Sequence, residues 1–440
     1  MLNLAKKVGI YSLIYLYVLS IQSISFANAE SISQNALPTN GIVKSGSASI
    51  SQTSNTMNVN QSSNNAIISW NKFNIGSKAT VNFNQPSSSS NTLNRVRSSD
   101  PSRIYGNLNA NGNIFFINPN GVLVGKSGSI NVGGLVASTM NMANNDFNKQ
   151  NYNFSSSSKS SIINYGNVNS KYVALLSSDV KNYGSISATS GTAALVSGDN
   201  AKLSLSSNGK LNIKVSESKL ANLIENEGTI KSENGQVLIK SSAAKSLVDA
   251  TIKGPSGKKK LVSVNGVLKL VSNTGEIKAN SVKIDAGKNG MVSNSGSIDV
   301  SSKNSNGGNI EVTGKEISIK SGTKLLASGK TGGGNVLIGG DWKGSGDLLQ
   351  STYTTVEKNT LIDASSTSSG DGGKIVIWSD IKNSKSKTSV NGTLLAYAVD
   401  GDGGKIETSG ATLEHKNIKI NASSKNGKSA VSYTHLRAHE

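Results

Sequence analysis

A five-residue signature, Asn-x-Gly-x-(Val/Ile), recurs along the chain and leaves few folds open to it. It begins at Asn164, Asn182, Asn226, Asn273 and Asn294, with successive starts 18, 44, 47 and 21 residues apart. These intervals read as one, two, two and one multiples of a unit of roughly 18–23 residues, the length of one coil of a parallel β-helix. Asn and Gly tolerate the left-handed backbone that a tight turn needs. An alternating run follows each turn, as in Gly235-Gln236-Val237-Leu238-Ile239-Lys240, and alternation sends one row of side chains inward and the other to solvent.

From about residue 300 paired glycines take over the turn: Gly307-Gly308, Gly333-Gly334, Gly372-Gly373 and Gly403-Gly404. Gly-Asp-Gly-Gly-Lys-Ile occurs from Gly370 and again from Gly401, 31 residues apart, as expected of coils that carry loops. Two stretches break the rhythm: the Ser/Asn-rich Asn141–Ser161 reads as a loop outside the helix, and Ala243–Ala250 as a short helical excursion.

Composition agrees with thin stacked layers. Aromatic residues make up 5% of the chain and apolar residues 35%, too little for one thick core, while β-branched residues recur too regularly for a disordered linker. About 410 residues wound this way would make roughly 18–20 coils and a rod of about 90 Å. The formal charge is +19, but lysines are scattered singly and lack interleaved aromatics, which argues against nucleic acid as a partner. Lys258-Lys259-Lys260 follows Gly-Pro-Ser-Gly and reads as a turn.

Residues 1–29 read as a signal peptide. Lys6 and Lys7 precede an apolar stretch from Val8 to Leu19, and Ala27-Asn28-Ala29 fits the small-x-small pattern of signal peptidase, with Ala27 and Ala29 as the cleavage determinants. The apolar stretch is shorter than the ~20 residues that span a bilayer. With no Cys in 440 residues, the exported chain could pass a second narrow pore without a disulfide to jam it.

Several blocks, in order, resemble one family. They are Ile68-Ser69-Trp70-Asn71-Lys72-Phe73-Asn74-Ile75-Gly76, Val81–Pro86, Leu93-Asn94-Arg95-Val96, Ile104–Leu108, Asn113–Val122 and Val132–Ser138. Together they are similar to the two-partner secretion domain of filamentous haemagglutinin-like exoproteins. Gly333–Trp342 and Gly372–Asp380 look like segments of the high-molecular-weight adhesins and haemopexin-binding exoproteins of the same system.

The resemblance implies an all-β fold, a right-handed parallel β-helix solenoid with an N-terminal cap and extra-helical loops. It implies a signal peptide (1–29), a secretion domain (30–250) and β-helix rod repeats (251–430). Residues 431–440 look like a foreign, adaptor-derived tail. It further implies recognition in the periplasm by the POTRA domains of a dedicated outer-membrane barrel, and a place outside the cell or on its surface.

Asn118-Pro119-Asn120-Gly121 matches the family's N-P-N-G motif, and with Asn94 and Arg95 it is the candidate contact for the secretion partner. The N-P-N-L companion of some members is absent, and Asn82–Pro86 stands in that region. From chemistry alone N-P-N-G is a turn, in which Pro fixes φ and the asparagines satisfy backbone groups.

Arg95, Arg97 and Arg103 suit an ordinary solvated or loop-pinning role better than partner contact. Trp342 and Trp378 read as packing residues, with sugar stacking as the alternative. Asp371 and Asp402 lack the ligand count of a calcium site. No cofactor or metal is expected.

Sparse carboxylates argue against a β-helix polysaccharide lyase, so the chain is expected not to be an enzyme. An adhesin or haemagglutinin is the leading expectation. Host glycans, a host surface or a haem carrier are the candidate partners, and a toxin carrier is a further alternative.

Overall fold

The computed structural model describes residues 32–155, 158–218, 223–245, 263, 265, 267–430 and 432–436. The cleavage site at Ala27 and Ala29, the lysine run at 258–260, the boundary expected at residue 250 and the helical excursion beyond Lys245 lie outside them.

The chain winds into a parallel β-helix whose coils are three-sided. One coil runs through Val122–Val124, Ser129–Val132 and Gly134–Ser138, and each strand pairs in parallel with its counterpart a coil later: Ser161–Asn164, Asn167–Ser170 and Val173–Ser177. On the third side thirteen strands stack from Asn65–Trp70 to Ser432–Leu436, the last of them lying in the stretch read as a foreign tail and pairing with Lys405–Gly410 all the same. At about 4.8 Å per rung this stack is about 60 Å long.

The rod is shorter than the expected 90 Å because some coils carry insertions. Asp179–Asn182 pairs directly with Leu223–Asn226, and Leu223–Asn226 with Leu268–Asn273. The 44- and 47-residue intervals are therefore single coils with insertions, and not two coils each.

Alternation builds the interior. Val168, Ile186, Ile230, Ile277, Ile298, Leu325, Ile362 and Leu394 form one buried column on the second side. Burying each such side chain stabilises the stack by about 1.5–3 kcal/mol before entropy is subtracted. Rings gather at the N-terminal end, where Trp70 meets Phe73 edge-on at 5.4 Å and Phe73 meets Phe116 at 4.8 Å.

That end is closed by antiparallel pairing, Ile42–Ser45 against Asn65–Trp70 and Ala48–Gln52 against Thr56–Gln61, which is the expected cap.

Where strands are buried on both faces, something covers the rod. Of the stretch expected as a loop, Ser161 already begins the rod strand Ser161–Asn164, whereas Asn141–Ser155 does leave the helix, carrying a short helix, Asn144–Asn148, and a strand, Tyr152–Ser155. The strand joins Asn200–Leu205 and Leu211–Val215 in an antiparallel sheet. This excursion lays Phe147, Tyr152, Phe154, Leu203 and Ile213 over Phe115, Ile117, Val136, Leu176 and Val196.

Farther along, the indole of Trp378 is buried and packs with Leu337, Val376 and the segment bearing Trp342 and Leu348. A Cβ on Gly340 or Gly344 would lie 2.5 Å from that ring, so only glycine lets the segment close over it. Packing is thus the role the structure gives Trp378. Asp371 and Asp402 cap turns: Asp371 accepts the Asp402 amide at 2.8 Å, and Asp402 the Lys428 amide at 2.8 Å.

Candidate functional site

The turn Asn118–Gly121 follows Asn113–Ile117, at the corner where the third side of one coil gives way to the first side of the next. Asn118 is fully buried, and its side-chain amide and backbone N–H together tie three rungs. Its side-chain nitrogen donates to the Asp100 carbonyl at 3.0 Å and to Ser102 Oγ at 2.9 Å, on the preceding rung. Its backbone N–H donates to the Ser138 carbonyl at 3.0 Å, on the following one. Its side-chain oxygen accepts the Asn120 N–H at 2.9 Å, the local bond that makes Asn a turn former.

Asn120 and Pro119 lie nearer the surface. Asn120 is exposed, and its amide donates to the Ser98 carbonyl at 2.9 Å; Pro119 is half-buried, its carbonyl accepting from Ser158 Oγ at 2.7 Å. Gly121, at φ 112°, occupies backbone that a side chain would strain, and its carbonyl accepts the Ser102 N–H at 3.0 Å. Lys72 pairs with Asp100 at 2.8 Å, and that hydrogen bond holds the Asp100 carboxyl below its ordinary pKa.

The other two candidates lie on the preceding rung, Asn94 opposite Phe116 and Arg95 opposite Ile117, but their side chains are engaged elsewhere. Asn94 is fully buried, with its oxygen accepting from the Trp70 indole N–H at 2.9 Å, so it holds the largest ring of the cap and presents nothing to a partner. The Arg95 guanidinium bonds Asn144 Oδ1 at 3.2 Å, Asn141 Oδ1 and the Met142 carbonyl. It clamps the excursion onto the rod.

Asn82 and Asn84 lie in a column of amides: Asn82 donates to Asn58 at 3.0 Å and accepts from Asn109 at 3.0 Å, while Asn84 donates to Asn60 at 2.7 Å. Gln85 beside them reaches Thr92 at 3.0 Å and accepts the Gly112 N–H at 2.9 Å. The region named in place of the missing N-P-N-L motif is thus part of the same inter-rung bonding.

A family model described as the TPS (two-partner secretion) secretion domain matches residues 29–293. The chain belongs to the TPS secretion-domain family. Membership covers the cap, the Asn118–Gly121 corner and the excursion, and a secretion domain of this kind implies a partner transporter in the outer membrane.

The chain is similar to the heme/hemopexin-binding protein of Haemophilus influenzae strain Rd, 31% identical over 218 residues, which are 47% of this chain and 24% of that protein. A second heme/hemopexin-binding protein of Haemophilus influenzae is 38% identical over 107 residues, 24% of this chain and 12% of that protein. The chain thus matches about a quarter or less of each relative. The crystal structure of the HMW1 secretion domain from Haemophilus influenzae superposes with a TM-score of 0.71 at 26% identity, over 89% of this chain and 99% of that one.

Sequence reasoning missed one feature of the TPS chain. The variable residue of the Asn-x-Gly signature forms a surface column, and in its first two repeats it is Tyr165 and Tyr183, whose rings stack at 4.9 Å and 15°. Reading the x position of the repeat by itself would have shown the pair. Among the described residues no group of three or more His, Cys, Asp or Glu is placed to hold a metal.

Proposed function

We propose that this TPS chain belongs to a secreted bacterial surface exoprotein, carried across the outer membrane by a dedicated POTRA-bearing barrel and displayed as a non-enzymatic adhesin. The observation that carries the reading is the secretion-domain match over 29–293, which falls on a stack capped at its first coil. Coils can add to such a stack only in the direction away from the cap. In a periplasm without ATP, each coil that forms outside the pore would keep the chain from sliding back.

Export is tested by expressing the chain with and without a cognate barrel and measuring it in the culture supernatant. Secretion that does not depend on the barrel would refute the reading. Adhesion is tested by presenting the secreted chain on beads to host cells.

A second reading, binding of a haem carrier, is favoured by the similarity to two heme/hemopexin-binding proteins. Capture of haemopexin by the immobilised chain, with no adhesion of the beads, would select it.

A further inference from the structure

The corner column that begins with Tyr165 and Tyr183 continues through Glu227, Thr274 and Ser295, the x residues of the next three repeats. From Glu227 onward it borders an open groove of about 580 Å³ that also takes in Thr229, Glu276 and Lys324. The floor is bare backbone, because the ladder glycines there stack too closely for a side chain: a Cβ on Gly275 would lie 2.0 Å from the Gly228 carbonyl oxygen.

The tyrosine pair stands at one end of this groove. Tyr165 is 40% exposed, among the few large apolar side chains left so open on the described surface. Tyr183 is steadied by donating its hydroxyl to Glu225 at 3.0 Å. Among the described residues the carboxylates of Glu227 and Glu276 have neither an ion pair nor a hydrogen bond, so their acceptor capacity is open to a ligand.

We propose that this corner binds an unbranched neutral oligosaccharide laid along the rod, with one sugar against the tyrosine pair and the next in the groove. An aromatic ring presents a flat apolar face that suits the C–H face of a pyranose. Carboxylates and threonine or serine hydroxyls are acceptors and donors for sugar hydroxyls, and bonds to an ionised acceptor are the stronger ones. The rung spacing of about 4.8 Å is close to the length of one sugar unit. Two carboxylates against the single cation Lys324 leave the groove net acidic, which disfavours a sulfated or uronic glycan here although the chain as a whole is basic.

The proposal gives the display reading a ligand class, but its test is independent of export. The purified chain is titrated calorimetrically with maltohexaose, chitohexaose and a heparin-derived hexasaccharide. Saturable binding of a neutral probe is expected, weakened about tenfold by Tyr165→Ala, the scale of one lost ring contact, and less strongly by Glu227→Gln. Tyr165→Phe keeps the ring and the affinity. Denaturation midpoints of all three variants stay at the parent value. The proposal is overturned if no neutral probe saturates the chain, if only the heparin fragment binds, or if either weakening substitution leaves the affinity unchanged. Failure of binding would leave the export reading intact, and failure of export would leave this site intact.

Discussion

Asn182 donates its side-chain amide to Asn226 at 2.8 Å, across 44 residues of chain. The same bond runs from Asn164 to Asn182 at 2.8 Å, from Asn226 to Asn273 at 2.7 Å and from Asn273 to Asn294 at 2.6 Å, all buried. Each inner amide donates in one direction and accepts from the other, so the column is satisfied only as a whole.

Asn226→Ala would leave the Asn182 amide without its main acceptor and the Asn273 oxygen without its donor. A loss of about 2–3 kcal/mol is expected, read as a lower denaturant midpoint. A midpoint within error of the parent would show that the column contributes nothing.

Gly228 and Gly322 make a matched pair of alanine tests. A Cβ at Gly228 would lie 2.1 Å from the Gly184 carbonyl oxygen, so neighbouring rungs must part, at a cost of about 3 kcal/mol. At Gly322, φ is +82° and nothing lies within 4 Å, so only left-handed strain remains, about 1 kcal/mol. Equal losses for the two would contradict the close approach of the rungs.

In the N-P-N-G corner the two asparagines are expected to separate. Asn118→Ala removes a buried amide that bonds across rungs and should cost about 2–3 kcal/mol, whereas exposed Asn120→Ala should cost about 0.5–1 kcal/mol. If the corner serves export by holding early coils in register, supernatant yield falls with Asn118→Ala and barely changes with Asn120→Ala. Export lost in Asn120→Ala with an unchanged midpoint would instead make the exposed amide a direct contact for the barrel.

Asp179 sets a pH dependence. Burial pushes its carboxyl up to about 6, against the opposing pull of Lys181 and the Leu223 amide. The folded value lies above the ordinary ~3.9, so this group's contribution is complete below that value and is lost as pH rises through about 6. Asp100 and Glu357, held low by hydrogen bonds from Lys72 and Lys320, act in the opposite sense and lose their contribution as pH falls below the ordinary carboxylate range. Between pH 7 and 5 the parent should gain on the order of 1–2 kcal/mol relative to Asp179→Asn. Parallel pH profiles for the two chains would remove Asp179 from the account.

The turns and inward residues of the coils could be read because each depends on neighbours in sequence: Asn and Gly at the bend, then Val or Ile alternating. The insertions could not. Asn200–Leu205 and Leu211–Val215 alternate apolar and polar residues as coil strands do, so periodicity counts them as a coil although they pair antiparallel outside the rod. The continuous apolar run Ile114–Ile117 marks a strand covered on both faces, but which segment covers it depends on a fold-back that local pattern does not encode. Loop pinning by Arg95 is legible from its residue type, but its partners, 46 to 49 residues away, are not, for the same reason. Asn118 reads as a turn former from sequence, while its reach to Ser102 and Ser138 belongs to the stack.

The ladder from Asn164 to Asn294 closes equally well over 18 residues or 47. What it keeps constant is the landing point of the chain and not the path taken to reach it. Such a scaffold offers splice sites: between one ladder asparagine and the next, a foreign module can leave and return without altering any other level of the column. The excursion at Asn200–Val215 is a native instance, and the same interval is where a reporter or epitope could be grafted while the rod still assembles.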